Sequence, residues 1–407
     1  MDIVKLVHDC ELEISNEFKK IDDLCFENSL KVIKAFHNNK ISTTHFEGTT
    51  GYGYNDIGRD AIERVFSDIL GSEDSLVRSQ MISGTHAIST ALFGLLRPND
   101  ILLSVSGAPY DTLHEVIGIK DNLSSLKAFD VKYDEIDLVD NDFDYDRIKK
   151  YLINHNVKVL YIQRSKGYSI RKSITIDKIR KIVDLVRKID KNVVIMVDNC
   201  YCEFVENVSP IEVGCDIIIG SLIKNLGGGI APNGGYIAGR KDLIRLCSER
   251  LNVAGEAKEV GPSLGLNKQL LQGIYHAPSV VASALKTAIL TSKVLEKIGY
   301  QVEPKYNDNR ADIVQSIIFN DREKLIKYCQ GIQMASAIDS FALPCPDDMP
   351  GYDDQIIMAS GSFIQGSSIE ISCDGPLKEP YIAYQQGSLT YEYGKIALMG
   401  AVSEIVD

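Results

Sequence analysis

Val193-Val194-Ile195-Met196-Val197-Asp198-Asn199-Cys200-Tyr201 decides how the chain is read. An apolar run this short, breaking off at once into polar residues, suits a strand covered on both faces, as in a parallel sheet. Upstream, residues 175–189 carry Ile176, Ile179, Ile182, Val183 and Val186 at helical spacing, with Thr175 as the expected cap. Further apolar runs lie at 101–105, 157–162, 216–219 and 236–238, and helical patterns at 85–96 and 111–118 fall between some of them. This alternation predicts an α/β domain around a mainly parallel sheet.

Outward from that domain the pattern changes. Residues 3–38 read as one or two amphipathic helices ending near His37-Asn38-Asn39, followed by a loop through Gly48, Gly51 and Gly53. Asn55 or Asp56 can then cap a helix carrying Ile57, Ala61, Ile62, Val65, Phe66 and Ile69, which Gly71 stops. A long helix is expected over 267–298, kinked or broken at Pro278. Beyond it, 311–319 reads as a strand, 321–334 as a helix, and 354–373 as two strands around 361–366. The expected organisation is an N-terminal helical segment and arm (1–50), an α/β domain (51–298) and a smaller C-terminal α+β domain (299–407).

Composition narrows the function. The 407 residues carry 44 Lys+Arg against 56 Asp+Glu, a formal charge of −12, and 44% are hydrophobic. Such a chain can bury a core, which excludes a disordered or fibrous protein. The acidic balance without a basic tail argues against nucleic acid or an anionic membrane as partner and favours a small-molecule site. No stretch supplies the roughly 20 apolar residues of a membrane span, and the N-terminus reads as a charged amphipathic pattern without a signal core. A cytoplasmic protein is expected. The nine cysteines are scattered, with only Cys200 and Cys202 close together. That is weak evidence for zinc and reads as reduced, buried thiols.

The chemistry gathers where apolar runs end, the place where open α/β sheets bind ligands. Lys224 follows the run at 216–219, with Gly227, Gly228 and Gly229 just after it. Glycines permit close backbone approach, and a desolvated lysine acquires a lowered pKa and becomes nucleophilic. A surface lysine in a glycine turn is the plain alternative; a phosphate-binding P-loop fails because the lysine precedes the glycines. Asp198 ends the preceding apolar run and can pair with a cationic ring nitrogen, or else serve as a cap or ion-pair partner. Met81-Ile82 runs into Ser83-Gly84-Thr85-His86, which opens a helix and offers hydroxyls and amides to a phosphate, or simply an N-cap. Amine, carboxylate and phosphate cradle are the three handles that pyridoxal 5′-phosphate requires.

At these residues the chain resembles the cystathionine/methionine lyase family, the Cys/Met-metabolism enzymes of pyridoxal-phosphate fold type I. Asp198-Asn199 and Ser221-Leu222-Ile223-Lys224 carry the likeness. It is closest to the bacterial branch described as methionine gamma-lyase-like or as aluminium-resistance proteins. Tyr54-Asn55-Asp56-Ile57-Gly58-Arg59, Ser83-Gly84-Thr85-His86-Ala87, Pro109-Tyr110-Asp111-Thr112-Leu113 and Gly366-Ser367-Ser368-Ile369-Glu370 match that branch. The likeness spans about residues 50–395 and implies a large domain with a mainly parallel, seven-stranded type of sheet.

The resemblance implies that Lys224 is the Schiff-base lysine and moves protons, and that Asp198 keeps the pyridine nitrogen protonated. Gly84, Thr85 and Ser221, with Ser83 beside them, contact the phosphate. Tyr110 stacks on the ring. His86 either touches the ring or is an ordinary first-turn histidine, and Gln163 reaches toward the ring hydroxyl. It further implies a cytoplasmic homodimer or homotetramer in which Tyr54 and Arg59 complete the partner's phosphate site; the plain alternative pairs Arg59 with Glu63 on an exposed helix face. The implied reaction is β- or γ-elimination on a sulfur-containing or related amino acid, with transamination or non-catalytic cofactor binding as alternatives.

One departure stands out. The wider family anchors the substrate carboxylate with an arginine of the C-terminal domain, but no arginine follows Arg322 here. Arg164 and Arg171 are the expected substitutes, and Arg310, unless it is a surface charge, is a third. No metal is expected: Asp353 and Asp354 are adjacent loop acids of the kind that water solvates.

Overall fold

The computed structural model describes residues 1–349 and 352–406. Strands β1 (Asp74–Arg78), β2 (Ile101–Ser104), β3 (Lys132–Glu135), β4 (Val157–Gln163), β5 (Val194–Asp198), β6 (Ile217–Ser221) and β7 (Gly235–Gly239) form one sheet. Their order is β1-β7-β6-β5-β4-β2-β3. β2, β3, β4, β5 and β6 run parallel, while β7 lies antiparallel between β1 and β6. The expected mainly parallel seven-stranded sheet is therefore present.

Helices cover both faces, and this is why the strands are continuously apolar. Alternate residues point to opposite faces. Leu103, Leu160, Ile162, Ile195, Val197 and Ile218 face one core; Leu102, Val159, Tyr161, Met196, Ile219 and Ile237 face the other.

In chain order the helices are α1 (Ile3–Glu13), α2 (Ser15–Asn38), α3 (Ile57–Leu70), α4 (Gly84–Leu95), α5 (His114–Ile117), α6 (Tyr145–Asn154), α7 (Ile176–Ile189), α8 (Lys241–Leu251), α9 (Asn267–Lys297), α10 (Arg322–Met334) and α11 (Tyr391–Ser403). A second sheet, antiparallel throughout, joins β8 (Gln301–Glu303), β9 (Gln315–Ile318), β10 (Ile356–Ser360), β11 (Ser372–Pro376) and β12 (Ile382–Gln386) in the order β10-β11-β12-β9-β8. α1 packs into its core through Val7 and Cys10, with Ile14 just after the helix, beside Leu290 and Val294 of α9.

Several expectations need correction. Met81-Ile82 is not a strand, since β1 has already ended at Arg78 and Ile82 is exposed. Pro278 does not break α9, which runs unbroken and buries residues on both sides of the proline, so packing outweighs the lost hydrogen bond. Thr175 precedes α7 without a side-chain cap; the Glu206 carboxylate accepts from the Ile176 N–H instead. Residues 111–118 form a 3₁₀ turn and the single turn of α5, closed by Gly118 at φ 98°. Asp56, rather than Asn55, caps α3 by accepting from the Arg59 N–H at 2.9 Å. Cys345 is exposed, unlike the buried Cys200 and Cys202.

Candidate active site

The pleat sorts the chemistry. Asp198 lies two residues past Met196 on β5, and Ser221 two residues past Ile219 on β6, so both point to the face that α4 covers. Gln163 follows Tyr161 on β4 in the same way and pairs in register with Asp198. The N-terminus of α4 arrives against these strand ends. A Cβ placed on Gly84 would lie 3.3 Å from both Cys200 Sγ and Ser221 Cβ, so glycine admits the close approach.

A cavity of about 80 Å³ opens beside this junction, lined by Lys224, Asp198, Cys200, Tyr201, Tyr110 and Gln163, among others. Lys224 Nζ stands 3.9 Å from the centroid of the Tyr201 ring. Asp198 accepts from the Cys200 N–H at 3.1 Å and from the Tyr161 hydroxyl at 3.4 Å. Burial pushes its carboxyl up, against the pull of Lys224 and these donors. Ser221 Oγ is buried without a hydrogen-bond partner among the described residues. An orphaned hydroxyl costs free energy unless a ligand completes it, and it lies at the strand end beside the α4 N-terminus.

The lowered pKa expected of Lys224 does not hold. Burial is the largest single influence and pulls it down, but Cys200, Tyr201 and Asp198 together outweigh it, so the amine is held charged. The glycines also act differently from expectation. A Cβ on Gly227 would strike the Leu222 carbonyl oxygen at 1.5 Å, and one on Gly228 the Gly273 carbonyl oxygen of α9 at 2.3 Å. They close the lysine loop onto protein backbone rather than onto an open site.

The other expected residues divide. Tyr110 lines the cavity, its ring 6.1 Å from Tyr168 and 5.9 Å from Tyr352, and its N–H donates to Gln163 Oε1 at 2.7 Å. Gln163 is thus spent on its own loops, also donating to the Ser165 carbonyl at 3.2 Å. Ser83 Oγ caps α4 by accepting from the His86 N–H at 3.1 Å; Thr85 Oγ1 meets Thr112 Oγ1 at 2.8 Å. His86 Nδ1 accepts from the Ile82 N–H at 3.2 Å, and the ring lines neither this cavity nor the larger one beside it.

Tyr54 and Arg59 are not brought to Lys224 within the chain. Tyr54 is 53% exposed and tilts against Tyr52. Arg59 is buried and donates to the carbonyls of Gly53 and Gly261 at 2.7 and 3.0 Å, with Asp60 beside it. The pairing with Glu63 on an exposed face is also overturned: Glu63 is buried and holds Arg78 at 2.8 Å and Lys258 at 3.1 Å.

Among the arginines, Arg164 is ruled out as a carboxylate anchor. It is buried against Glu206 and donates to Asn199 Oδ1 at 2.8 Å. Arg310 is no surface charge: it is buried, donates to Gln315 and leaves Nε and Nη1 unpartnered among the described residues. Arg171 faces a second cavity of about 460 Å³ that shares Tyr110, Gln163, Gly167 and Tyr168 with the first. Its guanidinium donates to four backbone carbonyls, those of Ser165 at 2.5 Å, Gln163 at 2.8 Å, Lys172 at 3.1 Å and Arg164 at 3.4 Å, and meets no carboxylate within salt-bridge distance among the described residues. Asp353 and Asp354, at the rim, pair with Lys120 at 2.6 Å and Lys378 at 3.2 Å.

Sequence reasoning missed Asp374, Tyr168, Tyr201 and Tyr384, which join Lys224 around the smaller cavity. Tyr201 closes the same polar stretch as Asp198, a signal that could have found it; nothing in the local sequence distinguishes Asp374, Tyr168 or Tyr384, which the meeting of the two sheets brings in.

Comparison with known proteins places the chain in a family. The family described as methionine gamma-lyase matches residues 3–406, and the chain belongs to it. The uncharacterized protein YnbB of Bacillus subtilis (strain 168) is 47% identical over 99% of this chain and 96% of its own. The carbon-sulfur lyase involved in aluminum resistance from Clostridium novyi NT superposes with a TM-score of 0.96 at 48% identity, over 99% of this chain and 96% of that one. The pyridoxal-5′-phosphate dependent protein YhfS of Escherichia coli, at 16% identity, covers 94% of this chain and 97% of its own with a TM-score of 0.64, and shares the fold. Among the described residues, no helix is long and apolar enough to cross a membrane.

Proposed function

We propose that the protein is a pyridoxal-phosphate-dependent carbon–sulfur lyase acting on a sulfur-containing or related amino acid. The observation that carries this reading is the convergence of Lys224 and Asp198 in one cavity, with the unpartnered Ser221 hydroxyl at the α4 N-terminus beside it. These residues fit the cofactor. Lys224 would hold it covalently, Asp198 would face its ring nitrogen, and Ser221, Gly84 and Thr85 would receive its phosphate at the positive end of α4. Tyr110 would cover the ring.

The bound cofactor supplies an electron sink that acidifies the substrate's α-C–H. The chain's own residues do the rest. Lys224 Nζ, once neutral, takes the α-proton. Burial disfavours the Asp198 carboxylate, and a protonated ring nitrogen opposite it would offset that penalty. Of the expected arginines, Arg171 is the one left for the substrate carboxylate: it lines the adjoining cavity and meets only backbone carbonyls, whereas Arg164 is already paired with Glu206. Loss of the β- or γ-substituent follows.

We also propose assembly as a homodimer or homotetramer in which the exposed Tyr54 arm reaches the partner's site. Mixed Lys224→Ala and Tyr54→Ala chains would then regain part of the activity that each lacks alone. The function itself is tested by incubating the cofactor-loaded protein with a panel of thiol and thioether amino acids and reading every product by mass spectrometry. Keto acid, ammonia and free thiol without a second substrate support the lyase. Keto acid formed only with an added acceptor indicates an aminotransferase, and an unchanged panel indicates a non-catalytic binder.

A further inference from the structure

Asp374 of β11 lines the same cavity as Lys224 but belongs to the smaller sheet. Gln386 Nε2 donates to its Oδ2 at 3.1 Å and the Tyr168 hydroxyl to the same oxygen at 3.4 Å. Both bonds land on one oxygen, which leaves Oδ1 for whatever enters the cavity. Tyr168 is itself packed by Tyr384 and Tyr352, at 5.1 and 5.7 Å between ring centroids, so the carboxyl sits in an aromatic wall. No cation pairs with it within salt-bridge distance among the described residues.

We propose that Asp374 is the acid that protonates the departing sulfur. This rests on the lyase reading above. The carbon–sulfur bond breaks and its electron pair leaves on sulfur. The proton moves from Asp374 Oδ1 to that sulfur, so a neutral thiol departs and a carboxylate remains. The α-proton is a separate one, held by Lys224. Asp374 regains its proton from water, for which the adjoining cavity of about 460 Å³ is the approach.

The environment suits an acid. Desolvation pushes the Asp374 carboxyl up to about 7, against the pull of Tyr168 and Gln386. The titratable groups around it are the phenols of Tyr168, Tyr352 and Tyr384 and the thiol of Cys373, its neighbour on β11. Across the cavity stand Lys224 and Asp198, with Tyr201 and Cys200 between the strand ends. Its strand neighbour on β10, Met358, carries no charge.

The test compares wild type and Asp374→Asn, both cofactor-loaded, on two thioether amino acids differing only in the leaving thiol. One releases an alkyl thiol and the other a nitroaryl thiol that departs unaided. The variant should lose about 10²-fold in kcat/KM on the alkyl substrate and little on the nitroaryl one, with cofactor absorption unchanged. Equal losses on both, or no loss on the alkyl substrate, would overturn the role. If wild type releases no thiol from either, the lyase reading fails and this role with it.

A second measurement needs no turnover. The infrared difference between wild type and Asp374→Asn should contain a carboxylic-acid carbonyl band at neutral pH that vanishes as pH rises. The difference is needed because Glu203 is also pushed up to about 7 by burial. Absence of that band would show that Asp374 holds no proton to give, and would overturn the proposal while leaving the lyase reading intact.

Discussion

Lys224 Nζ lies 3.9 Å from the centroid of the Tyr201 ring, a cation–π contact at the mouth of the lysine loop. Burial pulls the Lys224 pKa down, but Cys200, the Tyr201 hydroxyl and Asp198 together raise it and favour the ammonium. In the cofactor-free chain the lysine is therefore favoured as a cation and must give up a proton before it captures the cofactor.

Removing one of those neighbours should make the neutral amine easier to form. Tyr201→Phe keeps the ring and deletes the hydroxyl; the Lys224 pKa falls, and the neutral fraction at a given pH rises. The pH profile for capture of pyridoxal phosphate by apoprotein, followed by absorbance, should move to lower pH. A shift to higher pH would mean that Tyr201 does not stabilise the ammonium.

Asp198→Asn should retain the cofactor yet lose about 10²-fold or more in turnover. A neutral amide cannot hold a pyridinium, while Lys224, Ser221 and the α4 N-terminus still bind. Cofactor content and turnover measured on the same sample check this. Near-native turnover would make Asp198 structural.

Arg171→Ala should raise KM for the amino acid by an amount equivalent to about 2 kcal/mol, the size of a charged hydrogen bond. The guanidinium also gathers the carbonyls of Gln163 and Ser165. Arg171→Gln, which keeps a donor to those carbonyls, should therefore fold normally and still show the raised KM. Unchanged KM in both variants would remove Arg171 from the substrate site.

Asp56 couples the arm to α3 and should leave a mark on acid stability. Burial would raise its pKa, but donors from the Arg59 N–H, Ser263, Thr49 and Asn267 outweigh it and lower the pKa to about 2. Because the folded value lies below the unfolded one, this stabilisation is complete above about pH 4 and fades as pH falls toward 2, amounting to about 2 kcal/mol. Denaturant unfolding of Asp56→Asn against wild type should show that gap at neutral pH and its closure in acid.

How much of this was legible follows from which residues declare their environment. Strands β2, β4, β5 and β6 are readable because both their faces are apolar. β1 was not, because Asp74 and Arg78 look solvated; Arg78 is in fact buried on Glu63. Lys224 and Asp198 could be found because strand ends are marked by an abrupt change to polar residues. Arg164 misled because its partner Glu206 lies far along the chain, and a free and a paired arginine look alike in sequence. Asp374 had no local signal at all: one acid in Ser-Cys-Asp-Gly-Pro becomes a cavity wall only when the second sheet closes on the first.

The central claim is that Lys224 carries the cofactor, and Lys166 is the rival. Lys166 is buried in the wall of the larger cavity, its pKa lowered to about 8 chiefly by desolvation, and its Nζ donates to the Glu303 carbonyl at 2.8 Å. On pKa alone it would be the more reactive amine; on geometry, Lys224 shares its cavity with Asp198 and Lys166 does not. Borohydride reduction of the cofactor-loaded protein, followed by proteolysis and mass spectrometry, decides between them. The pyridoxyl group is predicted on the peptide containing Lys224, and finding it on Lys166 would contradict the account.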